Sequence, residues 1–160
     1  MDDKLFCNCA GMKLNIKSVA QELIHFIKED ENRRYKIVVG SDSEGWGGRQ
    51  VDFVTAIVIH RVGNGGRYFW RRVELDRFYT LRDRIIQEVL LSLEVAKEIL
   101  SALKSFESVK FDFEIHVDVG ENGETKLMIQ EVVGMIRAYN FEARTKPESY
   151  AASNVADRYV

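Results

Sequence analysis

Four carboxylates stand where acidic side chains can act. Asp42 follows the β-branched run Tyr35-Lys36-Ile37-Val38-Val39 and precedes Gly45, Gly47 and Gly48. Asp118 closes a second alternating run just before Gly120. A carboxylate at the end of a strand in an α/β sheet sits where such sheets bind ligands; an ordinary turn aspartate has the same local signature. On a helical wheel of ~100° per residue, Leu81, Ile85, Val89, Ala96, Ile99 and Leu103 form an apolar stripe with Glu88 at its rim, whereas Glu94 falls on the solvent side. Glu88 is therefore either a boundary residue or one aimed at a site. Asp157, near the end of the chain, points away from Val155 and Tyr159 if residues 153–160 form a regular helix, which makes it a solvent-facing residue.

Several other chemistries are excluded. Asp118-Val119-Gly120-Glu121-Asn122-Gly123 superficially suggests a calcium loop, but the third position is Gly120 and the twelfth Ile129, where a bidentate Glu is required. Residues 120–126 have only two residues between their glycines where a P-loop needs four. His25, His60 and His116 have no zinc spacing. Ser43 lacks the preceding glycine of a nucleophile elbow, and a turn rather than a helix follows it. Cys7 and Cys9 are too close for an ordinary structural bridge and point to a reducing, cytoplasmic setting. They either join His25 on a metal or belong to a disordered lead. Residues 61–84 hold seven arginines against three acids, either a phosphate-tracking surface or the solvated face of a hairpin.

The elements that must position these residues follow from hydrophobic period. Residues 1–14 form a loose lead. Val19, Leu23, Ile24 and Ile27 predict a helix over 17–30. Strands follow at 35–42, 51–61 and 67–75, the last two joined by the hairpin turn Gly63-Asn64-Gly65-Gly66. Thr80-Leu81-Arg82-Asp83 resembles a capping box and opens a helix to about residue 104. In 111–119, Phe111, Phe113, Ile115, Val117 and Val119 share one face and Asp112, Glu114, His116 and Asp118 the other. A helix to about 139, a strand at 141–146 closed by Pro147, and a short terminal helix from about 153 complete the order. A three-strand antiparallel meander followed by βα units predicts an α/β fold with a mixed sheet and helices on its faces.

The 160 residues suit one domain with a sizeable core, here 15–160, and 46% hydrophobic with 30% charged residues is ordinary for a soluble globular chain. A net charge of −2 excludes a protein that coats nucleic acid by bulk charge, while leaving room for a local basic groove. The longest uncharged apolar stretch, about 53–59, is far short of the ~18–20 residues of a membrane span. The acidic start, Met1-Asp2-Asp3-Lys4, argues against a secretory signal.

Three phrases in order carry a resemblance: Val39-Gly40-Ser41-Asp42-Ser43, His116-Val117-Asp118-Val119-Gly120, and Lys146-Pro147-Glu148-Ser149-Tyr150-Ala151-Ala152-Ser153-Asn154-Val155-Ala156-Asp157. Together they make residues 15–160 similar to the ribonuclease H-like superfamily, and more closely to the YkuK-like family of predicted ribonuclease H-like proteins. The resemblance implies a five-stranded mixed sheet with the first strand central and helices on both sides, the N-terminal helix being extra. It implies that Asp42, Glu88, Asp118 and Asp157 hold two divalent ions, Mg²⁺ or Mn²⁺, for hydrolysis of phosphodiesters in RNA, DNA or a hybrid; the wheel position of Asp157 departs from that role. His116 is then a proton shuttle or a strand histidine satisfied by its neighbours, and Lys126 and Lys146 are phosphate contacts or surface lysines. Two other functions fit the same residues. One is a nucleic-acid-binding module that cleaves nothing. The other is a protein-interaction domain using the 45–48 turn, Trp46 and Phe69.

Overall fold

Residues 1–14, expected as a loose lead, contain the first two strands, β1 (Phe6–Asn8) and β2 (Lys13–Leu14). Phe6 is fully buried, and the Asn8 side chain accepts the amide N–H groups of Ala10 and Met12 at 3.0 and 2.9 Å, closing the turn between the strands. Strands of three and two residues are too short to show a period, so one buried aromatic and one Asx turn hold what the hydrophobic pattern does not reveal. The structure is a computed structural model describing residues 4–45, 50–76, 78, 80–106 and 108–159, without the side chains of Ala152, Ser153 and Asp157.

Helix α1 (Ile16–Lys28) starts at Asn15, whose side chain accepts from the Ser18 amide, and it buries Val19, Leu23 and Ile27. Then come β3 (Tyr35–Gly45), β4 (Gln50–Arg61) and β5 (Gly66–Asp76), the expected meander. Gly63 and Gly65 at the β4–β5 turn have φ of 78° and 82°, values that only glycine adopts freely. Strand β3 runs past Asp42 to Gly45, which pairs with Val51, so Asp42 lies within the strand opposite Val54 rather than at its end. Helix α2 (Leu81–Leu103), β6 (Asp112–His116), α3 (Ile129–Ala138) and β7 (Glu142–Arg144) follow.

The sheet order is β2-β1-β5-β4-β3-β6-β7, with parallel pairs at β3–β6 and β6–β7. It thus has seven strands, not five, because β1 and β2 extend the β5 edge. The three α-helices share one face with the main core, in which Ile37, Val39, Ile57, Ile59 and Ile115 meet Leu23, Val89, Ala96 and Ile99. The other face carries a smaller core of Val38, Val54, Ala56 and Val58 beneath Ala151 and Ala156. That cover is not a regular helix. Residues Ala151–Val155 form one wide π turn and Ala156–Tyr159 a tight 3₁₀ turn, which removes the premise of the wheel placement of Asp157. Among the described residues no helix is long and apolar enough to cross a membrane.

Candidate functional site

The site is built where β3, β6 and α2 meet. The odd residues of β3 face the helices: Ile37 and Val39 enter the main core, and Ser41 and Ser43 continue the same face. Opposite them, α2 presents Glu88 and Ser92, one turn apart. Ser41 Oγ is 2.7 Å from Ser92 Oγ and 2.8 Å from Thr55 Oγ1, forming a buried hydroxyl chain. Ser43 Oγ–H donates to Glu88 Oε2 at 2.5 Å. Arg84, one turn before Glu88, donates from Nη2 to the Ser43 carbonyl at 2.6 Å and from Nε to its hydroxyl at 3.2 Å.

Glu88 is buried more deeply than a rim position implies, with 6% of its surface exposed. Burial pushes its carboxyl up to about 8; the Ser43 hydrogen bond pulls the other way, the charges of Asp42 and Asp118 add to the rise, and Arg84 opposes it. Glu94 is exposed, as the wheel requires.

Asp42 alternates with Val38 onto the other face. The β3–β6 ladder pairs Val38 with Glu114 and Gly40 with His116; Asp42 comes two residues further along β3, and Asp118 two residues beyond the end of β6. Val117 and Val119, flanking Asp118, are both buried in the main core. The Ser43 amide donates to Asp42 Oδ1 at 2.9 Å. Lys146 Nζ stands 3.0 Å from Asp118 Oδ1, a buried oxygen that the ammonium pairs by charge without hydrogen-bond alignment.

His116 proves to be a satisfied strand histidine. Its Nδ1 accepts the amide N–H groups of Tyr150 and Ala151 at 3.0 and 3.3 Å, so the proton sits on Nε2 and is donated to Glu114 Oε2 at 2.9 Å. Burial holds its pKa below the ordinary imidazole value, despite the adjacent Glu114 carboxylate. Burial would raise the pKa of Glu114, but hydrogen bonds from His116 and Lys36 outweigh it and hold the group low. His116 therefore ties the start of the terminal turns to β6.

The arginines of 61–84 do not form one surface. Arg61 stacks 4.1 Å from the Phe26 ring centroid and pairs with Glu29; Arg71 is buried over Phe6, 3.5 Å from Glu98. Arg82 pairs with Glu131, and Arg72, across the sheet, donates to the Tyr159 carbonyl. Alternation along β5 divides them between faces, where their stems cover apolar side chains. Arg77 lies outside the described residues. Phe69, considered as a contact for protein partners, is 4% exposed and packs in the core; of the expected 45–48 turn, Gly45 ends β3, and Trp46, Gly47 and Gly48 lie outside the described residues.

Glu88 thus feels the charges of Asp42 and Asp118, while the Asp157 side chain lies outside the described residues. Their donor set fits a hard divalent cation: all ligands are oxygens, and Glu88 is held neutral by burial and two nearby negative charges that a cation would offset. They do not form a preassembled cage, since among the described residues no three His, Cys, Asp or Glu side chains are placed to hold a metal. Sequence reading missed Ser43 and Arg84 as supports of Glu88. The available signals were Ser43 at period two from Val39, an inward polar position needing a partner, and Arg84 at i−4 from Glu88.

Residues 18–160 match the family model described as ribonuclease H-like. The chain is also 32% identical over 170 aligned residues to the uncharacterized protein YkuK of Bacillus subtilis (strain 168), covering 99% of this chain and 98% of that one. No solved structure matches. A mixed sheet with β3 and β6 paired in parallel, a family match over residues 18–160 and a full-length relative agree, and the chain belongs to the ribonuclease H-like family, among its YkuK-like members.

Proposed function

We propose that the protein is a divalent-metal-dependent nuclease hydrolysing phosphodiester bonds of nucleic acid, with Asp42, Glu88, Asp118 and Asp157 as its metal-holding carboxylates and Mg²⁺ or Mn²⁺ as the ion. The observation that carries this reading is the coupling of the buried Glu88 carboxyl to Asp42 and Asp118. A buried carboxyl whose charge is opposed by burial and by two further carboxylates is the kind of group that concentrates at functional sites. Ser43 and Arg84 hold Glu88 and the backbone of β3 in register for that role. Hydrolysis joins the oxygen of water to phosphorus, breaks the bond to the 3′ oxygen, and releases that oxygen with a proton. A bound divalent ion would supply the positive charge that favours water attack and the departing oxygen.

A nucleic-acid-binding module without cleavage is the second reading, favoured by the absence of a preassembled cage among the described residues. Calorimetric titration of Mn²⁺ into the wild type and Asp42→Asn separates the two. The nuclease reading expects saturable binding that the substitution abolishes. It also expects net proton release at pH 7, because Glu88 must ionise from a carboxyl raised to about 8. Cleavage of end-labelled RNA, DNA and hybrid oligonucleotides should then depend on the ion. Oligonucleotide binding with neither metal uptake nor cleavage would leave the second reading in place.

A further inference from the structure

Strand β7 ends the sheet on the side away from β2, and among the described residues no further strand covers it. Its pairing with β6 uses the Arg144 carbonyl and, just beyond the strand, the Lys146 amide, which bond to Val117 and Val119. By strand alternation, Ala143 and Thr145 turn their amide N–H groups to the open edge. The Thr145 carbonyl already accepts the Glu148 and Ser149 amides, and the Phe141 amide already donates to Ile136. The edge therefore offers the backbone groups of Ala143, the Thr145 N–H and the Phe141 carbonyl. Beside it runs α3, whose Gln130, Val133, Gly134 and Arg137 follow one another at helical spacing and, with Ala143 and Thr145, line a cavity of about 420 Å³. Glycine weakens a helix interior, yet a Cβ built on Gly134 meets nothing within 4 Å. One chain by itself has no steric need for glycine there; a body approaching from outside does.

We propose that β7 and this stripe of α3 form a two-fold interface with a second copy of the chain, the two β7 strands pairing antiparallel about Ala143. In that register Ala143 exchanges both backbone bonds with its counterpart, and each Thr145 N–H reaches the Phe141 carbonyl of the other copy. Glu142 of each copy stands opposite Arg144 of the other, on the face turned away from the helices. Within one chain the Glu142 side chain is 70% exposed and meets Arg144 at 3.3 Å. On the helix side the same two-fold sets Gln130 opposite Arg137 and Val133 opposite Gly134, a side chain against a gap. Short, charged edge strands ordinarily resist pairing. Here the two charges are of opposite sign and two residues apart, so the edge presents unlike charges to its own copy. Strand and helix stripe are each self-complementary about their own midpoint, which selects a second copy as the occupant. The pairing holds whether or not the carboxylates bind a metal.

The test is sedimentation equilibrium of the full chain over a concentration series, with Gly134→Gln and Glu142→Arg alongside and circular dichroism to check their folding. Neither substitution touches the core, since position 134 is open and Glu142 is exposed. The wild type should sediment as a dimer. Glu142→Arg sets like charges opposite each other at two symmetric places and should weaken association by roughly 100-fold or more; Gly134→Gln fills the gap facing Val133 and should do the same. Hydrogen exchange supplies the position: the Ala143 and Thr145 amides should be protected in the wild type and exposed in both variants. A wild type that is monomeric at every concentration overturns the inference and leaves this edge to a strand of another protein or to water. A dimer that survives both substitutions, or whose Ala143 and Thr145 amides exchange freely, also overturns it, because the contact then lies elsewhere.

Discussion

Glu88 shows how a residue's surroundings set its chemistry. A carboxyl whose pKa is raised in the fold favours the folded state while it stays protonated. Its contribution is therefore fully present below the unfolded value of about 4.3 and is lost as pH rises through the folded value of about 8. Glu88→Gln keeps the shape and an acceptor for Ser43 but cannot ionise. Metal-free Glu88→Gln should match the wild type near pH 5 and exceed it at pH 9, by an amount on the order of 3–4 kcal/mol. Urea denaturation across that range measures it, and parallel pH profiles for the two proteins would mean that Glu88 is not neutral in the fold. The wheel put Glu88 at the stripe's edge but could not show that Ser43 meets it or that Asp42 and Asp118 lie near. Those partners are 45 and 30 or more positions away along the chain, and no local pattern records them.

The elements carry two further tests. Thr80 was legible as a helix start, and in the structure its hydroxyl accepts the Asp83 amide at 3.0 Å. Thr80→Ala should cost about 1 kcal/mol of stability, the usual loss for an N-cap, and an equilibrium denaturation midpoint unchanged within error would count against the cap. The terminal turns depend on His116, whose Nδ1 takes two amide hydrogens from Tyr150 and Ala151. His116→Ala leaves those donors and Glu114 without their buried partner, at a cost of roughly 2–4 kcal/mol. Hydrogen exchange should rise first at Tyr150 and Ala151, ahead of β3. A uniform rise over the whole sheet would show that His116 serves global stability and not the anchoring of the turns. Alternation along β6 placed His116 on the Asp118 face at once. Only the folding back of residues 150–151 onto β6 decided that it is an anchor.

At the scale of the molecule, the sheet is wider than its ribonuclease H-like centre requires. The added edge hangs on Phe6, fully buried under Arg71, whose guanidinium lies 4.8 Å from the ring centroid. Phe6→Ala should destabilise the protein by about 3–4 kcal/mol, the usual cost of emptying a buried aromatic site. A loose lead would lose nothing, so a ΔΔG near zero in urea melts would return residues 4–14 to that status. The same edge shows why charge counting along the chain misleads. Arg61, Arg67 and Arg71 lie on the helix side over Phe26 and Phe6, and Arg72 lies on the opposite side against Tyr159. A dense arginine stretch becomes separate cation–π and carbonyl contacts once a strand alternates it between two faces.

From the sequence alone came the mixed α/β order, the meander, the capped long helix, the inward face of β6 and the family resemblance. Each of these is written in short-range period or in a contiguous phrase, because the physics that selects it acts over one turn of helix or two residues of strand. Tertiary structure alone decided which carboxylates share a field, that Ser43 and Arg84 serve Glu88, that Lys146 crosses Gly120 to reach Asp118, and that Phe6 recruits two more strands. Those outcomes rest on burial and on charges brought together from distant positions. Burial and electrostatic coupling arise from proximity in space, which is settled only when the chain has folded.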